Sequence, residues 1–141
     1  MLRELVLLAY GWHSTGRWIL LALALAALVR CGWVWVRNES RGGIDQVLLT
    51  GFAGAMTVQG VLGLVALFGL GALGAGFPLT SIFHGIVTCL AIVISFLFLR
   101  WDDAPVRVRA RNGLFSVSGA LMCAVIGLSL LPGGLMRIVN V

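Results

Sequence analysis

This 141-residue sequence holds only two histidines, each a few residues inside the start of an apolar run: His13 in the first run and His84 in the third. If both runs are helices that cross a membrane, they point the same way, and both imidazoles lie about 5–8 Å, one to two turns, below the same surface. Two imidazoles at equal depth on separate helices are what an iron porphyrin with two axial nitrogen ligands needs. In a four-helix bundle the first and third helices form a diagonal on the order of 13 Å long, a gap that takes a haem with an imidazole on each side. The same pair is explained equally well as interfacial histidines packed without a metal. Another metal or a proton relay is the remaining reading.

The flanking residues suit a cofactor. Gly16 lies one turn from His13 and leaves room for a flat ring, while Ser81, His84, Thr88, Ala91 and Ser95 make a small, polar stripe at three-four spacing, able to face a cofactor edge and hydrogen-bond around it. Arg17 follows His13 by four residues, on the same helical face. Inside a membrane it costs roughly 2.5–3.5 kcal/mol, so an anion or another acceptor must compensate it. A haem propionate, a lipid phosphate, backbone carbonyls or another subunit's carboxylate would serve, since no acid of this chain lies at that depth. Gln59 is the other strongly polar group in an apolar run, and a helix–helix hydrogen bond is sufficient reason for it. Nothing in the sequence suits nucleophilic catalysis, paired-carboxylate chemistry or phosphate cradling, so the chain reads as non-enzymatic.

These residues are positioned by four apolar runs. Hydrophobic residues make up 60% of the chain and charged ones 11%, with a mean hydropathy of +1.06; too little polar surface is left to face water. A membrane-crossing helix needs roughly 20 apolar residues, and four such helices with short connectors use nearly all of the sequence. The prediction is an all-α membrane protein, four transmembrane helices in an up-down-up-down bundle, over about 5–29, 47–69, 79–99 and 114–131, with a short interfacial tail over 132–141. The first run resembles a signal peptide, but Arg30 precedes Cys31 where a cleavage site needs a small residue, so it reads as a retained helix. Gly69, Gly71, Gly74 and Gly76 before Pro78 predict a flexible turn after helix two. Gly51, Gly54, Gly60 and Gly63, with Gly119, Ala120, Ala124 and Gly127, offer small surfaces for close helix packing.

All ten basic residues are arginines, against five acids, for a formal charge of +5. They cluster between apolar runs rather than along a stripe, so topology and anionic lipid headgroups account for them, not nucleic acid. Arg30, Arg37, Arg41, Arg100, Arg107, Arg109 and Arg111 fall in the loops after helices one and three, and only Arg3 and Arg137 on the other side. Short arginine-rich loops stay in the cytoplasm. In a bacterial inner membrane, both chain ends would therefore be periplasmic. Trp12, Trp33, Trp35 and Trp101 lie near the expected helix ends, where indoles favour the headgroup zone. Cys31, Cys89 and Cys123 are odd in number and far apart, which argues for small buried hydrophobes rather than a disulfide or metal framework.

The pattern of His13-Ser14-xx-Arg17-Trp18, Asp45 before helix two, Gln59-xxx-Gly63 within it and Phe83-His84 opening helix three resembles small four-helix bacterial membrane proteins labelled cytochrome b-like. The resemblance spans nearly the full chain on short motifs. It implies haem b held by His13 and His84, with Arg17 supporting. The sequence departs from that pattern in helix two, where Thr57 and Val58 stand at the place of a further histidine.

Two functions remain in view. One is a b-type cytochrome-like electron-transfer module, passing electrons between a quinone or a larger complex and an outside acceptor. The other is a cofactor-free accessory subunit of a respiratory or photosynthetic membrane assembly, holding lipids and neighbouring helices. A small transporter is poorly served, since Arg17, Gln59 and the histidines are the only polar lining on offer.

Overall fold

The structure, a computed structural model, describes residues 1–39 and 42–133. Among the described residues this multi-pass membrane protein has four helical spans long and apolar enough to cross a membrane, built on α1 (Leu2–Arg37), α2 (Gly43–Leu70), α3 (Leu79–Ser95) and α4 (Val106–Ser129), the second and third spans continuing to Ala75 and Trp101. Short connections force each helix to run antiparallel to the one before. α1 packs on α2 and α4, α3 packs on the same two helices, and α1 and α3 face each other across the bundle.

Two helices run further than their apolar stretches. α1 is expected to stop at 29 yet continues to Arg37, where Asn38 closes it in the left-handed conformation (φ 53). Its 36 residues span about 54 Å at 1.5 Å per residue, against roughly 30 Å of hydrocarbon. The last turns leave the lipid, and their charges are met there. Arg30 Nε donates to Asp45 Oδ1 at 2.6 Å, and Trp33 Nε1 donates to Glu39 Oε2 at 3.1 Å. Asp45, expected in a loop, stands in the first turn of α2 and accepts the Gly42 N–H at 2.8 Å, a capping arrangement that satisfies an orphan donor. α4 likewise starts at Val106 instead of 114, taking Arg107, Arg109 and Arg111 into the helix. Hydropathy marks where lipid begins, whereas arginine is a good helix former and only Pro105 stops the backbone.

α2 ends in a widened π turn over Gly71–Ala75. Gly74 (φ 98) and Gly76 (φ 72) adopt backbone angles that few other residues accept, and the chain turns into Pro78. A 3-10 turn over Leu97–Trp101 follows α3. α4 gives out before Pro132-Gly133; the expected interfacial tail falls, from 134 onward, outside the described residues, as does Arg41.

Packing is uneven along the bundle. In the half nearest the arginine-rich connections, Leu20, Ala24, Ala27 and Cys31 of α1 meet Leu49, Phe52, Ala53 and Met56 of α2, with Ala91 of α3 and Val117, Ala120 and Cys123 of α4 closing the core. Small residues at three-four spacing bring these backbones close. Towards the other end burial thins to Val6, Ala9, Ala66 and Gly127. There α2 and α3 part, and a cleft opens.

Candidate functional site

The two histidines lie in that open half. His13 projects from α1, and its Nδ1–H donates to the main-chain carbonyl of Gln59 on α2 at 2.9 Å. Gln59 answers: its Nε2 donates to the main-chain carbonyl of His13 at 3.1 Å. Each side chain rests on a glycine of the opposite helix. A Cβ on Gly63 would stand 2.9 Å from His13 Cε1, and one on Gly16 would stand 3.1 Å from Gln59 Cδ. Gly16 therefore makes room for the Gln59 amide, not for the flat ring expected beside it. The reason is geometric, since Gly16 faces α2 and lies outside the lining of the cleft.

His84 projects from α3 towards His13. The ring centroids are 6.2 Å apart, with planes at 81°. His84 rests on Gly127 of α4, whose Cβ would come within 3.1 Å of Nδ1. That nitrogen is buried and has no hydrogen-bond partner. The hydroxyl of Thr88, expected to serve a cofactor, donates to the carbonyl of His84 one turn earlier at 2.8 Å, a bond within its own helix. Gln59 is also buried, 8% exposed, and its Oε1 has no partner.

Both imidazoles, Ser81 and Thr88 line the cleft, a space of about 220 Å³ between the second half of α2 and the first half of α3. Glycines at 60, 63 and 85 keep its walls flat, and Tyr10 and Leu131 close it from the sides of α1 and the end of α4. Arg17 is not in this lining. Its guanidinium lies 5.5 Å over the ring of the neighbouring Trp18, a cation–π arrangement. Of the residues expected at the site, the structure thus gathers His13, His84, Ser81 and Thr88, and leaves Gly16 and Arg17 apart.

No family model, curated protein or solved structure matches the chain. What the site can do is argued from its own chemistry. Among the described residues no three histidine, cysteine or acidic side chains come together around a possible ion. A tetrahedral ion with protein ligands needs three or four of them. A haem iron needs only axial ones, because the porphyrin supplies the other nitrogens. Two imidazoles sharing one metal ion, each nitrogen about 2 Å from it with the ring centre about 1 Å behind, would have their centres about 6 Å apart. The three cysteines form no disulfide: Cys31 and Cys123 are buried, and Cys89 stands beside the cleft.

Sequence spacing singles out both histidines as candidates but not the residues packed around them. Gln59 and Gly63, four residues apart, and Gly127 appear in the sequence as packing residues. Their work as sockets depends on which helix stands opposite, and the Gln59-xxx-Gly63 spacing is the only trace of it in the primary structure.

Proposed function

We propose that this chain is a membrane electron-transfer protein, non-catalytic itself, in which His13 and His84 hold one haem b between α1 and α3. The observation that carries the reading is the pair of imidazoles 6.2 Å apart across the bundle. Bound there, the haem would supply one reversible electron. The chain's own groups do the rest: Gln59 orients the His13 ring, and Gly63 and Gly127 give the imidazoles space. The apolar walls of α2 and α3 exclude water. At about 220 Å³ the cleft is smaller than the roughly 300–1,000 Å³ usual for ligand sites, so a macrocycle would need α2 and α3 further apart than they stand here.

In a bacterial inner membrane the arginine distribution would put Arg30, Arg37, Arg100, Arg107, Arg109 and Arg111 on the cytoplasmic side. The histidine end, and both chain termini, then face the periplasm. Electrons would come from a quinol in the bilayer or a neighbouring membrane subunit and leave towards a periplasmic acceptor. A second reading, a cofactor-free accessory subunit, draws on Gly51 and Gly54 of α2. A Cβ on either would meet nothing within 4 Å, so part of the glycine surface expected to pack this bundle faces outward instead.

A reduced-minus-oxidised visible spectrum of the purified protein separates the two. Low-spin haem bands that disappear in both His13→Ala and His84→Ala support the cytochrome. A colourless protein that co-purifies with other membrane subunits overturns it in favour of the accessory role.

A further inference from the structure

The two imidazoles are held differently, and we infer that Gln59 is the positioning residue that makes His13 the fixed donor of the pair and leaves His84 the displaceable one. The inference rests on the bis-histidine reading for its consequence, but the lock on His13 stands without any cofactor.

A main-chain carbonyl can only accept a hydrogen bond, so the 2.9 Å contact between His13 Nδ1 and Gln59 O requires the proton on Nδ1. Nε2 is then left with its lone pair, the state in which an imidazole binds a metal. The ring is held in position from two further directions. The Gln59 amide donates to the carbonyl of His13, tying the two backbones at this level, and Gly63 leaves the Cε1 edge of the ring against α2, with no room for a methyl group at 2.9 Å. His84 has no such hold. Its Nδ1 is buried against Gly127 without a partner, and the hydroxyl of Thr88, one turn along α3, is committed to the main chain. A ligand fixed before binding loses less freedom when it binds. His13 therefore contributes more to holding a bound group than His84 does.

The test uses the full chain in lipid nanodiscs with ring-15N histidine, where two histidines give two assignable sets of signals. His13 is expected in the Nδ1–H tautomer alone, with and without haem supplied. Gly63→Ala places a methyl where the ring lies, and Gln59→Leu removes the side-chain hydrogen bond to the His13 carbonyl. Each is expected to move His13 towards a tautomer mixture while leaving the His84 signals in place, and Gly51→Ala, on an open face, should change neither. A mixed His13 in the parent protein, or variants that leave it unmoved, overturns the assignment whether or not haem binds. In haem-loaded protein, His13→Ala is expected to weaken haem retention at least tenfold more than His84→Ala. Equal losses with haem present overturn the asymmetry; absence of haem bands in the parent overturns the cytochrome reading, and the tautomer result then judges the lock alone.

Discussion

Arg30 on α1 reaches Asp45 on α2 with its Nε 2.6 Å from Oδ1, while the other oxygen of the same carboxylate caps α2 through the Gly42 N–H. One nearly buried acid, 3% exposed, thus starts a helix and ties it to its neighbour at the tightly packed end. Asp45→Ala is expected to destabilise the bundle by at least the ~1 kcal/mol that a lost cap costs, and by more than Glu39→Ala, whose carboxylate is half-exposed and 3.7 Å from Arg30. Denaturant titration in mixed micelles, followed by circular dichroism, measures the difference. Equal effects would mean that Asp45 does not join the helices.

Glycines facing inward and outward in α2 should respond oppositely to an added methyl. A Cβ at Gly60 would run into the side chain of Ile92 on α3, whereas one at Gly51 meets open space. Gly60→Ala is expected to destabilise by about 1–3 kcal/mol through overpacking, and Gly51→Ala to be neutral or stabilising by up to about 1 kcal/mol. The same titration reads both variants.

Filling the cleft should empty it of any flat ligand. Gly85 lies in its wall, and a Cβ there would make only an ordinary 3.9 Å contact with Leu67. Gly85→Leu also improves helix propensity, so the fold is expected to survive. The haem-to-protein ratio should fall at least tenfold with helical content unchanged. Retained haem would place the cofactor elsewhere.

Orientation can be read directly. A fluorescent protein inserted at Asp103, in the connection before α4, is expected to fluoresce, because that connection is assigned to the cytoplasm. Alkaline phosphatase fused at the same position is expected to be inactive. The reverse pattern would turn the whole chain over and move the histidine end to the cytoplasmic side.

Much of this protein follows from the one-dimensional order of its residues. Four charge-poor apolar runs too long for anything but spanning helices, short connectors that force antiparallel neighbours, and arginines gathered between alternate runs are all properties of the chain read in order. So is the equal depth of His13 and His84, since the first and third of four antiparallel helices run in parallel. Tertiary structure alone decided what stands opposite what. Rotation of each helix about its axis turns Gly16 towards Gln59 rather than the cleft, puts Gly63 and Gly127 under the imidazoles, and leaves Gly51 and Gly54 outside. It also sets Arg17 against Trp18 and makes Asp45 a cap and an ion-pair partner. The physical reason is that lipid rewards apolar side chains on every face of a helix, so these runs carry little of the one-sided pattern that reveals a buried face in water. Which face turns inward is settled by shape and by a few buried hydrogen bonds, and both exist only between helices.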